Sequence, residues 1–203
     1  VNQERGEMRK ALLKEVAAIQ MGYQARTRLE PVAESDYTII LGKDISAENE
    51  IDVSNLVRID LKTEDSKFLL QRKDVLFMAK GTSNLAVYPK QSLHNTVASG
   101  SFYAIRITVS DMEPGYLAWW LNQRMAQEYF AINRSSGATL SFITAEALRN
   151  TPILIPEIEM QRKIVKLAEL YSQMKNKTKK LLELQSDLIN TVTYRAIIKE
   201  EKA

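Results

Sequence analysis

The chain has 203 residues, 45% of them hydrophobic, enough for one globular domain of about 150 residues and one further element. It holds no cysteine and a single histidine, which excludes disulfides, zinc–thiolate sites, a thiol nucleophile and a two-histidine metal site within one chain. Its net charge of +3 is unevenly spread: residues 29–65 hold 10 acids and 3 bases, against 15 acids and 25 bases elsewhere, so one face can attract phosphate while another repels it.

The chain opens on Val1 rather than Met and reads as trimmed or excised; its charged residues 1–14 contain no apolar signal core. Residues 4–16 have helical apolar spacing for about two turns. Residues 17–21 read as a strand, and residues 22–28 as a polar loop that ends before Pro31. Residues 37–41 are β-branched and aromatic, and residues 56–61 alternate with period two; both read as strands, flanking an acidic loop at 42–54. A buried strand is expected at 74–79, then a turn at 80–84, then a second strand at 85–88 that stops at Pro89. Residues 98–108 form a further strand interrupted by Gly100.

The period then changes. Pro114 and Gly115 open a helix carrying Tyr116, Leu117, Trp120, Leu121, Met125, Tyr129 and Phe130 at helical spacing. Trp119, Trp120, Tyr129 and Phe130 follow that period and are expected in the core, not as platforms for stacked bases. Residues 133–139 form a loop, 140–143 a short extended piece, and Thr144 caps a helix over 145–150. The fold class is therefore α+β: a globular domain with a curved, mostly antiparallel sheet plus helices.

A different kind of element ends the chain. Pro152 and Pro156 bracket Ile153-Leu154-Ile155, which reads as a strand end. Pro156 suits the first turn of a helix, and Glu157 and Glu159 favour its positive end. No Gly or Pro follows, and an apolar residue recurs every three or four positions through Met160, Ile164, Leu167, Leu170, Met174, Leu181, Leu184, Leu188 and Val192. A helix of about 44 residues is a rod of about 65 Å, and one narrow apolar seam requires a partner helix. The expected division is a domain at 1–155 and a long coiled-coil helix at 156–203, with Leu167, Leu170, Met174, Leu181, Leu184 and Leu188 as the dimerisation seam.

Ile155, Pro156, Gln161, Ile164, Val165 and Leu167, opening a long helix after a compact domain, resemble the junction between target recognition domain and spacer in the DNA-specificity subunit of type I restriction–modification systems. That family's commonest form has Leu-Glu-Glu-Gln before the Gln, where this chain has Ile158-Glu159-Met160-Gln161. Lys73-Asp74-Val75-Leu76 followed by Lys80-Gly81-Thr82-Ser83 is similar to its "Gly-Asp-Ile-Leu" strand and small-polar turn, and Ser136-Gly137-Ala138-Thr139 to its Gly-containing segment ahead of the junction. The resemblance covers nearly the whole chain but one recognition domain only, and so implies a half-subunit. It implies a non-catalytic, cytoplasmic protein of antiviral defence that chooses the site on double-stranded DNA. Methylation and cleavage would come from separate methyltransferase and restriction subunits. It also implies no cofactor and no metal.

The residues themselves offer little catalytic chemistry. His94, within Ser92-Leu93-His94-Asn95-Thr96, lacks a nucleophile-elbow motif. Asp60-Leu61-Lys62, with Asp52, has the Asp-x-Lys form of metal-dependent nucleases, the less favoured alternative. No phosphate-cradling Gly-rich motif and no Asn-Pro-Pro-aromatic motif of amino-methyltransferases is present. Three loops carry side chains suited to DNA. The first holds Tyr23, Gln24, Arg26, Thr27 and Arg28, where Arg can bond guanine and Gln adenine with paired hydrogen bonds. The second holds Lys80, Thr82, Ser83 and Asn84, and the third Arg134, Ser135, Ser136 and Thr139, rich in groups for phosphate oxygens. Solvated turn chemistry explains any one such loop equally well. The expected function is sequence-specific DNA recognition at one half-site by a homodimer joined through its C-terminal helix. A coiled-coil adaptor that binds protein and not DNA is the alternative.

Overall fold

Residues 9–12 are drawn into a strand by a partner more than a hundred residues away. The computed structural model describes residues 8–25, 32, 34–46, 49–81, 84–135 and 141–201, without the side chains of 196 and 198–201. Strand β1 (Arg9–Leu12) pairs antiparallel with β9 (Pro152–Ile155), Lys10 opposite Leu154. One helical turn, α1 (Leu13–Val16), follows; Leu13 N–H donates to Thr151 O at 2.9 Å and Leu12 N–H to the Glu15 carboxylate at 2.9 Å. Over the described residues 8–16, the two-turn helix expected at 4–16 is thus corrected to a strand and a single turn; residues 4–7 lie outside the described residues. A short isolated helix is marginal in water, and the ladder offered by β9 outweighs its period.

The remaining strands divide between two further sheets. One is antiparallel throughout, in the order β2 (Ala17–Met21), β8 (Phe102–Ile107), β5 (Asp74–Met78), β6 (Leu85–Val87). The other runs β4 (Val57–Ile59), β3 (Tyr37–Ile40), β7 (Thr96–Ala98), and β3 and β7 are parallel. The expected strand at 98–108 is therefore two strands in two sheets, and the chain turns between them at 99–101. The protein is α+β.

The central strand β5 is buried on both faces, and its period of two explains how. Val75 and Phe77 join the main core, while Leu76 joins a smaller cluster with Ile40 and Phe102. The main core packs α2 (Pro114–Leu121), α3 (Arg124–Ile132) and α4 (Ala145–Arg149) with the sheets through Tyr116, Leu117, Leu121, Phe130, Leu148 and Ile153. Trp120 and Phe130 are buried and Trp119 and Tyr129 partly so, as the helical period predicts. That period does not show a break: the helix expected from Pro114 to Phe130 is two helices. Asn122 ends α2 by using both ends of its amide on β6, accepting from Ala86 N–H at 2.9 Å and donating to Ala86 O at 2.7 Å. Thr144 caps α4 as expected, its hydroxyl accepting from Ala147 N–H at 3.1 Å.

Two motif positions gain a physical reason. Asp74, 2% exposed, lies opposite Arg106 in the β5–β8 register. The guanidinium meets it as a fork, Nε to Oδ1 at 2.9 Å and Nη2 to Oδ2 at 2.8 Å, and Gln71 N–H adds a third bond at 2.8 Å. Hydrogen bonding to Asp74 raises the Arg106 pKa above its ordinary value, outweighing desolvation. The residue before it, Lys73, has φ 75°, a left-handed conformation that disfavours any side chain, and it stands where the resembling motif has Gly.

Helix α5 (Ile158–Glu201) has 44 residues. The chain separates into two units, Val1–Val165 and Lys166–Ala203. In the first unit, the opening turns of α5 are locked by Gln161, which is fully buried. Its Oε1 accepts from Glu113 N–H at 2.8 Å, and its Nε2 donates to Asp111 O and Pro156 O, both at 2.8 Å. Gly115 lets the helix approach, since a Cβ there would lie 3.1 Å from Val165 Cγ1. In the second unit, Leu167, Leu170, Met174, Leu181, Leu184 and Leu188 are each at least half exposed. Among the described residues, no helix is long and apolar enough to cross a membrane.

Candidate nucleic-acid interface

The antiparallel order of the four-stranded sheet puts the end of β2, the end of β5, the start of β6 and the start of β8 at one edge, because Met21 faces Tyr103 and Met78 faces both Phe102 and Leu85. The three loops singled out by sequence leave from that edge or border it. They are joined through the turn at 99–101. On one side, Gly22 N–H donates to Phe102 O at 2.9 Å, Tyr23 N–H donates to Ala98 O at 2.7 Å, and Tyr23 bridges Ser99. On the other side, Ala79 N–H and Lys80 N–H both donate to Ser101 O, at 2.9 and 3.3 Å. Lys80 then bridges Phe142, which bridges Ser135 in turn, and Ile143 N–H donates to Ala79 O at 3.1 Å. The order around the rim is 23–24, 99–101, 79–80, 142, 135.

Glycine makes the first junction possible. A Cβ on Gly22 would lie 2.2 Å from Ser99 O and 2.6 Å from Ala98 O, and backbone cannot yield that space. A Cβ on Gly100 would lie 2.8 Å from Gln24 Cγ, so the Gln24 side chain lies directly over this turn. Gln24 Nε2 is 2.7 Å from Met21 Sδ.

The nominated side chains take different positions on this rim. Gln24 and Lys80 are exposed, and Ser135 is half-buried. Tyr23 is half-buried, with its ring edge-on to Phe68 at 5.8 Å between centroids. Asn84 is turned inward. It is 7% exposed, its Nδ2 donates to Met78 O and Ala79 O at 3.2 and 3.3 Å, and its Oδ1 accepts from Arg134 Nη2 at 2.8 Å. Asn84 and Arg134 thus tie the second loop to the third. Arg26, Thr27, Arg28, Thr82, Ser83, Ser136 and Thr139 lie outside the described residues. Sequence reasoning passed over the turn at 99–101 and Phe142, although the paired glycines at 22 and 100 were a usable signal of close backbone approach.

Two carboxylates of the acidic segment, Asp44 and Asp52, are engaged in turns. Asp44 is buried and accepts from Leu41 N–H at 2.8 Å. Hydrogen bonds from the Ser54 hydroxyl and N–H hold the exposed Asp52 carboxyl below the usual carboxylate range. Asp60 and Lys62 are exposed on either side of the buried Leu61. Among the described residues, no group of three or more His, Asp or Glu side chains is arranged to hold a metal ion. His94 is exposed, its Nε2 3.2 Å from Ser92 Oγ.

A family model described as "Type I restriction modification DNA specificity domain" matches residues 7–186. The fold is similar to the type I restriction-modification system S subunit from M. genitalium, at 14% identity and a TM-score of 0.58, over 90% of this chain and 43% of that one. It is similar to the HsdS subunit from Thermoanaerobacter tengcongensis at 17% identity and a TM-score of 0.58, over 86% of this chain and 39% of that one. A chain from a structure on complex assembly and conformational transition of the type I R-M system matches at 20% identity and a TM-score of 0.61, over 89% of this chain and 42% of that one. At these identities the likeness is one of fold, and the chain spans only 39–43% of the length of these three proteins. No curated protein sequence matches the chain.

Proposed function

The chain belongs to the type I restriction modification DNA specificity family, and from that premise we propose that it reads one half-site of double-stranded DNA with the rim of loops around residues 99–101. The observation that carries the reading is the convergence itself: three loops chosen for their DNA-suited side chains share one hydrogen-bonded rim at one end of a sheet. In this reading Lys80 meets phosphate, Gln24 with Arg26 and Arg28 meets base edges, and Thr27, Thr82, Ser83, Ser135, Ser136 and Thr139 serve as hydroxyl donors. Tyr23, Asn84 and Arg134 shape the rim. The domain is 1–155 and the spacer 156–203. The spacer pairs with the same helix of a second copy through its exposed seam, in a two-fold dimer. The chain carries out no bond-breaking step; methyltransferase and restriction subunits supply methylation and cleavage.

Selection of bound sequences from random duplexes, with the chain alone and then with its candidate methyltransferase subunit, tests this. The expected result is an inverted repeat of two short blocks with a fixed spacer, bound in a salt-dependent way. A protein-binding adaptor would retain no sequence and show no salt-dependent binding above background.

A further inference from the structure

Gln24 is the one exposed reading residue on the described rim whose side chain is held by its neighbours. Its backbone belongs to the segment that Gly22 and Tyr23 pin to the turn at 98–102. Its Cγ lies 2.8 Å from where a Gly100 Cβ would be, and its amide nitrogen is 2.7 Å from Met21 Sδ. Met21 is itself 40% exposed at the end of β2, so its thioether is open to the Gln24 amide. A long polar side chain on an open surface normally samples many rotamers and gives up that freedom on binding. Here the glycine removes the obstacle and the methionine marks the stopping point.

We propose that Gly100 and Met21 are positioning residues that preset Gln24 as a base reader, and that the base it reads is adenine. A glutamine amide offers one acceptor and one donor side by side, which match adenine N6–H and N7 in the major groove. Neither positioning residue needs to touch DNA. Gly100 acts by being small: its other near neighbour, Tyr23 O, would be 3.5 Å from a Cβ, an ordinary contact, so only the Gln24 side chain must move when alanine is introduced. This inference rests on the proposed DNA-reading function, and the test separates the two.

The full chain and its Gly100→Ala, Gln24→Ala and doubly substituted variants are each used to select from the same random duplex library, with thermal melting and a salt titration run in parallel. For the wild type, one position in each half-site prefers adenine by about tenfold or more, equivalent to about 1.4 kcal/mol. Gln24→Ala and Gly100→Ala each flatten that position and leave the others within about twofold. The double variant matches Gln24→Ala alone, because with Gln24 gone the alanine at position 100 has nothing to displace. Melting temperature and salt slope stay those of the wild type in all three. Should Gly100→Ala fail to fold, Met21→Leu takes its place, with partial flattening expected at the same position only. The inference is overturned by a Gly100→Ala effect of equal size in both backgrounds, by loss spread over every position, or by a Gln24-dependent position that prefers another base. If Gln24→Ala leaves all preferences intact while salt-dependent binding persists, the inference fails and the DNA-reading function stands. Absence of DNA binding in the wild type refutes both.

Discussion

Gln161 offers the sharpest test of how the long helix is joined to the domain. Its side chain is fully buried and makes three hydrogen bonds at 2.8 Å, two of them to the segment between β8 and α2 and one to the chain just before α5. Gln161→Leu keeps the volume and removes all three. Glu113 N–H then has no acceptor in a dry site, and Asp111 O and Pro156 O lose their shared donor. An unsatisfied buried polar group costs about 1–3 kcal/mol, carbonyls at the low end, so the loss is about 3–4 kcal/mol. That is a large share of a total stability of about 5–15 kcal/mol. Urea unfolding followed by the fluorescence of Trp119 and Trp120, both in α2 nearby, reads it as a lower midpoint with an unchanged slope. Gln161→Glu adds a pH signature. An introduced carboxylate keeps the acceptor for Glu113 N–H but turns its second oxygen on two carbonyls, so its folded-state pKa rises. Its stabilising, protonated form is fully present below the unfolded pKa of about 4.3 and is lost as pH rises through the folded value. The gap between this variant and wild type therefore narrows in acid. A loss below about 1 kcal/mol for Gln161→Leu would refute the clamp.

Other expectations follow from the same geometry. Arg106→Met strands the Asp74 carboxylate, 2% exposed, with Gln71 N–H as its remaining donor; the expected cost is about 3–5 kcal/mol, and adding Asp74→Asn restores much of it, both read by urea titration. Lys80→Ala weakens all duplexes alike and reduces the salt slope by about 0.9, which makes the deficit about threefold smaller at 200 mM than at 50 mM salt; a change confined to one base position would contradict a phosphate role. Leu181→Asp with Leu188→Asp yields monomers by light scattering with domain fluorescence unchanged, whereas a wild type that is monomeric at tens of micromolar rules out the homodimer.

What was legible in the sequence was whatever local chemistry decides. The strand at β5 and its return at β6, the Thr144 cap and the unbroken length of α5 are each written within a few residues of where they act. The parallel pairing of β3 with β7 is not, because nothing in either strand encodes a partner about sixty residues away. The break at Asn122 escaped because its cause is β6, which the helical period cannot report. β1 escaped for a like reason, its partner being β9. At the rim, the polar composition of the loops marked them out. Composition does not tell an outward Lys80 from an inward Asn84, since both are polar residues of one turn, and only the carbonyls of Met78 and Ala79 decide that Asn84 points in.

The way the rim is held bears on which of its positions can change without cost to the fold. Its junctions are main-chain bonds: Tyr23 N–H to Ala98 O, Ala79 and Lys80 N–H to Ser101 O, Ser135 with Phe142, Ile143 N–H to Ala79 O. None of these requires a particular side chain at 24, 80 or 135. The side-chain interactions that do fix the domain sit elsewhere, in Asp74 with Arg106, in Asn122 on β6 and in Gln161 at the helix start. Substitutions at the exposed rim positions therefore alter the chemistry presented to a ligand with little cost to the fold, since surface changes away from such features usually stay within about 0.5 kcal/mol. Gly22 and Gly100 are the exceptions. At Gly22 any side chain would collide with backbone, so that position is closed to change; at Gly100 the collision is with the Gln24 side chain, so a substitution there displaces that side chain and leaves the main-chain bonds of the rim in place.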